Sequence, residues 1–248
     1  MRNYTELHYE FLKWKHIVNN VNRYHSRTKL LDLLWDNRRL LEYYIHKDEV
    51  FFRGRIFNLD DIVSTNDEYI EWVDSNEKVF EGYSENASGA PPAKSATEGR
   101  LNGKGISFLY TCNNEKTVIY ELRPTKNEKI SIAKFITKQD LVFADLTKYK
   151  SNRINNQQFS DLIRLIAEEF STPHYAGHNY YFTQYLAGQF MDMRFDGIIF
   201  ASSLDPSGEN FVFFHPNNCE AVESKLYMVD SISIKYSPIS RLDFQYLE

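Results

Sequence analysis

Apolar side chains return every three or four positions over the first part of the chain, through Leu7, Phe11, Trp14 and Val18 and then Leu30, Leu33, Leu34, Leu40 and Leu41. That spacing places them on one helical face and predicts helices from about Glu6 to Tyr44. The pattern then changes. Val50-Phe51-Phe52-Arg53-Gly54-Arg55-Ile56 is a short β-branched and aromatic run that predicts a strand, and Leu59 to Val73 reads as a loop with a short helix. Gly82 to Gly105 holds Ser, Asn, Gly and Pro91-Pro92 and predicts a long surface loop, a feature that carries function in compact domains. Strand-like segments follow at Ile106–Tyr110, Lys129–Phe135 and Leu141–Leu146. Thr117 to Leu122 fits either a β-branched strand or one or two helical turns. Phe159, Leu162, Ile163 and Ile166 give Gln157 to Phe170 a helical period that Pro173 stops, and a second helix is expected from Tyr180 to Met193. Asp196–Ser203 and Asn210–Phe214 predict two strands around a turn at Pro206-Ser207-Gly208. No internal repeat is present. The sum is an α+β domain with a helical N-terminal extension.

Composition narrows the class. The 248 residues are 42% apolar, enough for a sizeable core, and the 15% aromatic share favours a strand-rich interior. A net charge of −5 with both signs interspersed is no footprint of a nucleic-acid binder. With no signal segment and no apolar run of membrane-spanning length, the expectation is a cytoplasmic protein with neither nucleic acid nor membrane as partner. Cys112 and Cys219 are expected as buried free thiols.

Several motifs can be set aside. Gly99 to Ser107 lacks the Gly-Lys-Ser/Thr ending of a phosphate loop. His174 and His178 are four apart, but Pro173 and Gly177 argue against one helical face and no third ligand is evident, so no metal is expected. Ser202 and Ser203 lack the glycine-flanked turn that exposes a hydrolase nucleophile. Arg53 stands out, because strand alternation puts it with Phe51 and Arg55 on one face and Phe52 and Gly54 on the other. An arginine among aromatics needs an anionic partner. That partner is either a carboxylate of the chain or a phosphate gripped by its planar fork. Glu121 fits a solvent-facing residue or a catalytic carboxylate, and Tyr110 a core aromatic or a stacking surface.

Taken in order, Phe52-Arg53-Gly54-Arg55, Gly99-Arg100-Leu101-Asn102 with Gly105, Leu109-Tyr110 with Glu121 eleven residues on, Asp196 to Ser202, and Asn210 before Phe213-Phe214 resemble the RES domain family, named for an arginine, a glutamate and a serine. The resemblance covers a motif core of about 50–215, within a domain of 49–248 behind a helical extension of 1–48. It implies an ADP-ribosyltransferase-like fold, a mixed β core with flanking helices, and an activity that consumes NAD+. Family members are typically toxins neutralised by an Xre-type antitoxin, and they act by phosphorolysis or hydrolysis of NAD+ or by ADP-ribosylation of a protein. Carried across by position, Arg53, Glu121 and Ser202 are the motif residues, with Ser203 as an alternative hydroxyl. Tyr110 would contact the nicotinamide side, and Arg100 and Asn102 would shape the loop beside the cofactor. Leu101 departs from the usual Trp. The expected function is NAD+ breakdown with inorganic phosphate as a candidate co-substrate and Arg55 or Arg100 to hold it. The alternatives are protein modification or a binding module without turnover. Partner docking or packing on the chain's own sheet would each account for the amphipathic N-terminal helices.

Overall fold

A computed structural model describes residues 2–24, 27–58, 69–74, 77–151, 154–172, 179–234, 236 and 238. Its helices are α1 (Arg2–Asn20), α2 (Lys29–Asp36), α3 (Glu85–Ser88), α4 (Glu115–Leu122), α5 (Gln157–Ser171) and α6 (Tyr181–Asp192). Its strands are β1 (Glu42–Ile45), β2 (Val50–Phe57), β3 (Tyr69–Asp74), β4 (Glu77–Tyr83), β5 (Leu109–Cys112), β6 (Lys129–Thr137), β7 (Leu141–Asp145), β8 (Gly197–Ala201), β9 (Glu209–Phe213) and β10 (Cys219–Met228). Eight strands form one mixed sheet in the order β1-β7-β8-β9-β5-β2-β6-β10, and β3 and β4 make a separate hairpin. Among the described residues only β7 and β8 run parallel, joined by the crossover that carries α5 and α6. The protein is α+β, as the pattern predicts.

Strand alternation gives the sheet two apolar faces. Ala144, Ile198, Phe200 and Val212 turn to the helical layer, while Phe143, Ile199, Phe211 and Phe213 turn the other way. On that second face Phe51 of β2 lies 4.9 Å from Phe211 and 5.2 Å from Phe213, and Phe143 lies 4.8 Å from Phe213. The rings tie β2, β7 and β9 together across the sheet.

The N-terminal helices belong to the helical layer. Leu7, Phe11, Trp14 and Val18 are all buried in the same cluster as α5, α6 and the sheet. Phe11 and Trp14 meet Phe182 of α6 edge-on at 5.4 and 5.3 Å, and Lys15 pairs with Glu169 of α5 at 2.7 Å. Packing on the chain's own core therefore accounts for the amphipathic spacing.

Two expectations change. The helical stretch ends at Asp36, and after a turn at Arg38–Leu41 the chain enters β1, an edge strand paired with β7. Its identity comes from that distant partner, because only Ile45 is buried. Tyr69–Asp74 is a strand of a hairpin rather than loop or helix, since it pairs with β4; residues 59–68 lie outside those described. Beyond these, Cys219–Met228 forms β10, laid antiparallel along β6. Cys112 and Cys219 are free and buried. No described helix is long and apolar enough to cross a membrane.

Candidate active site

The chemistry gathers where the sheet opens. β2 and β5 share a single paired position, Phe52 with Cys112. Continued, that register would set Arg53 against Thr111 and Gly54 against Tyr110; instead the strands part. A cavity of ≈ 290 Å³ occupies the split, walled by Phe52, Arg53, Gly54, Arg100, Tyr110 and Glu121 among others. A larger space of ≈ 740 Å³ between α1, α2 and α5 contains none of the residues singled out by the motif order.

Glu121 comes to this cavity on α4. Asn114 caps the helix, its side-chain oxygen accepting from the Thr117 amide at 2.8 Å, with Glu115 in the first turn where the helix dipole favours an anion. These signals outweigh the β-branched Thr117-Val118-Ile119 run, and the helix stops at Arg123 in the left-handed region. Gly54 lets α4 approach β2. A Cβ there would stand 2.4 Å from Val118 Cγ1 and 2.8 Å from Leu122 Cδ1. The far end of α4 is tied to the β8–β9 turn by buried Asp205, which accepts from Thr117 Oγ1 at 2.8 Å and pairs with Lys116 at 3.3 Å.

One oxygen of Glu121 is held firmly. Oε1 accepts from Ser202 Oγ at 2.7 Å and from Asn210 Nδ2 at 2.9 Å. Ser202 is itself fixed, since its hydroxyl oxygen accepts from the Leu204 and Asp205 amides at 3.1 Å each. Ser202 is buried against Glu121, whereas Ser203 is exposed.

Two guanidinium groups line the same cavity. Arg53 donates through Nη1 to the carbonyls of Ser88 and of Gly89, the latter at 2.5 Å. Arg100 donates through Nη1 to the carbonyl of Phe170 in the last turn of α5, where the helix dipole favours a cation. Each fork is steadied through a nitrogen bonded to main-chain oxygen, and neither group makes a salt bridge with a carboxylate among the described residues. Burial, with Arg55 adding repulsion, pulls Arg53 down to about 10, so it remains charged at neutral pH. Burial also lowers Arg100, against the opposing pull of Tyr180, Glu121 and Tyr110. Arg55 turns away from the cavity wall, donating to the Ala87 carbonyl at 2.7 Å and lying over the Tyr83 ring.

Tyr110 and Asn102 secure the loop that presents Arg100. The Tyr110 hydroxyl donates to Asn102 Oδ1 at 2.7 Å and accepts from the Leu101 amide at 3.1 Å; burial pushes it up to about 12, so it stays a neutral donor. Asn102 Nδ2 donates to the Thr97 carbonyl at 2.9 Å and the Ile106 carbonyl at 2.8 Å. Gly99 is required beside them, because a Cβ would fall 2.5 Å from Asn102 Oδ1. The ring of Tyr110 faces the cavity while its hydroxyl is spent on the loop. Asn102 is buried behind it and does not line the cavity.

The structure thus unites Arg53, Arg100, Tyr110 and Glu121 at one cavity, with Ser202 directly behind Glu121. His174 and His178 lie outside the described residues. Sequence reasoning missed two supports. Thr183 Oγ1 donates to the Arg100 carbonyl at 2.5 Å, and Gln184 Nε2 donates to the carbonyls of Gly99 and Asn102 at 3.0 Å each. Both sit in the first turn of α6, and no local pattern marks them.

Comparison with known proteins follows the same outline. A family model described as the RES domain matches residues 76–237, which takes in Arg100, Asn102, Tyr110, Glu121, Ser202 and all of β10 while leaving Arg53 ahead of the match. The tail strand β10 therefore lies within the matched residues. Among solved structures, the crystal structure of the M. tuberculosis MbcT–MbcA toxin–antitoxin complex aligns at a TM-score of 0.46 and 11% identity, over 81% of this chain and 93% of that one. Comparison with curated proteins gives no match. With the match running from 76 to 237 in a chain of 248, well over half of its length, the chain belongs to the RES domain family.

Proposed function

We propose that the chain is an NAD+-degrading enzyme that breaks the nicotinamide–ribose bond, with phosphate favoured over water as acceptor, and that it acts as the toxin of a toxin–antitoxin pair. The observation that carries this reading is the convergence of two guanidinium groups and one carboxylate on the cavity at the strand split. Its volume is at the lower end of the range for small-molecule sites, which suits one end of a dinucleotide with the remainder along the open mouth.

Breaking the bond leaves an oxocarbenium-like ribose. A fixed carboxylate beside that carbon stabilises the developing charge more than the ground state, which lowers the barrier. Glu121 supplies it, with Oε1 anchored by Ser202 and Asn210. Arg53 holds the pyrophosphate through the part of its fork not bonded to Ser88 and Gly89. Tyr110 offers its ring to the nicotinamide or ribose end. Arg100, close enough to Glu121 to feel its charge, is the second cation that an acceptor phosphate needs. The phosphate oxygen bonds to the ribose carbon, and the electrons of the broken bond leave with nicotinamide. The toxin role rests on family membership, and the resemblance implies an Xre-type antitoxin.

Incubation with NAD+, with and without inorganic phosphate, tests the chemistry. ADP-ribose-1″-phosphate formed only with phosphate is the expected outcome; free ADP-ribose would mean hydrolysis, and binding without nicotinamide release would leave a binding module. Glu121→Gln should slow release by roughly 10²–10³, the cost of one well-placed electrostatic group. Undiminished turnover would remove Glu121 from the mechanism. Growth arrest with NAD+ loss on expression, relieved by the product of a neighbouring reading frame, tests the toxin role.

A further inference from the structure

Beyond the arginine, tyrosine, glutamate and serine positions, a second route leads to Glu121 from the sheet. Asn210 on β9 stands opposite Cys112 on β5 in the strand register. Its Oδ1 accepts from the Cys112 thiol at 3.3 Å and its Nδ2 donates to Glu121 Oε1 at 2.9 Å. The two ends of an amide differ, and reversing this one would set Oδ1 against a carboxylate oxygen, acceptor against acceptor. Cys112 is buried beside the cavity and keeps its proton, since burial, then Glu121 and Asp205, push the thiol up to about 12. It therefore presents a hydrogen to Asn210 across the whole working pH range.

We propose that Asn210 is a positioning residue for Glu121, and that Cys112 fixes the sense of its amide so that Oε1 is held and Oε2 is the oxygen offered to substrate. This rests on the NAD+-cleaving role given above to Glu121. The charged and titratable groups around that carboxylate include Arg100 from the 98–102 turn, Tyr110 and Cys112 from β5 and, across the cavity, Arg53 from β2, with Arg123 acting on Arg100 and Asp205 on Cys112. The neutral donors are Ser202 and Asn210. Losing the Asn210 donor removes one of the two anchors of Oε1, so the carboxylate is less firmly aimed at the substrate.

The test uses the full chain with Asn210→Ala, Cys112→Ala and Cys112→Ser. Asn210→Ala should lower kcat for nicotinamide release about tenfold with KM within about twofold, a loss confined to the transition state. Cys112→Ala should show the same direction at smaller size, and Cys112→Ser, which restores a donor, should return close to the parent. A loss seen in KM alone, or equal behaviour of the two Cys112 variants, would overturn the proposal. Carboxylate NMR of Glu121 in the parent and in Asn210→Ala is read without turnover. If the parent releases no nicotinamide, the NAD+ reading fails, and a Glu121 carboxylate signal unchanged between the two proteins at one pH sinks the positioning role separately.

Discussion

Adding one methyl group at Gly54 should damage both the fold and the site, because this glycine sets how closely α4 lies on β2. The new Cβ would meet Val118 Cγ1 at 2.4 Å and Leu122 Cδ1 at 2.8 Å. Carbon atoms rest at roughly 3.5–4.0 Å, so something must give by about 1 Å or more; Val118 is stiff at χ1, and we expect the helix to retreat. Overpacking of this kind costs about 1–3 kcal/mol. At about 2–4 °C per kcal/mol for a chain of this size, the melting midpoint of Gly54→Ala should fall by roughly 2–12 °C. Glu121 rides on the same helix, and a 1 Å retreat stretches its 2.7 and 2.9 Å contacts with Ser202 and Asn210 past hydrogen-bonding range. Misplacement on that scale costs about a hundredfold in rate. The assay is a thermal melt together with nicotinamide release measured well below the variant's own midpoint. Val118→Ala removes the nearest clashing atom, so the double variant should recover part of both losses, with a coupling of about 0.5–3 kcal/mol. A Gly54→Ala protein that melts and turns over like the parent, or a strictly additive cycle, would refute the close approach and its role in placing Glu121.

Other expectations are simpler to state. Arg53→Lys keeps the charge but loses the fork that spans two carbonyls and a ligand; calorimetry in a Glu121→Gln background should show NAD+ binding weakened about tenfold, in line with charged hydrogen bonds of about 1.5–3 kcal/mol, and unchanged affinity would contradict the phosphate role. Both thiols are raised by burial from 9.0 to about 12, so above about pH 9 the unfolded chain releases protons that the folded one keeps. Below pH 9 the thiols should have no effect on stability; between 9 and 12 they should erode it by up to about 1.4 kcal/mol per pH unit each. Denaturant melts of the parent should therefore fall more steeply with alkaline pH than those of a Cys112→Ala/Cys219→Ala protein. Removing residues 1–36 strips Leu7, Phe11, Trp14 and Val18 from the core, and should abolish cooperative unfolding; a truncated protein that still melts sharply would separate these helices from the core.

Much of this was written locally. The three-and-four spacing of Leu7 to Val18 and of Phe159 to Ile166 is a helix signal that packing then used, and β2, β6 and β8 fall where short apolar runs stand. β1 was hidden because an edge strand with one buried residue has no alternation to display, and its partner lies a hundred residues on. β10 was hidden in part by a bulge between Ala221 and Glu223 that breaks its period. At the site, the order of Arg53, Arg100, Tyr110, Glu121 and Ser202 was visible, and the cavity brings the first four together. The helical form of Thr117 to Leu122 was decided by the Asn114 cap and by Gly54, over the pull of its β-branched residues. The duties of Asn210, Thr183 and Gln184 depend on partners more than eighty positions away, which no window of sequence contains.

The docking of α1 on α5 and α6 has a consequence for biosynthesis. Lys15 finds Glu169 across 154 positions, so on the ribosome this helix has no place to settle until the residues between them have been made. At about 5–20 residues per second that delay is roughly 8–30 s. Throughout it the stripe from Leu7 to Val18 stands unburied, a ready substrate for chaperones or for sticking to other nascent chains. Such distant closure also slows folding, because loop entropy must be overcome before any contact rewards it.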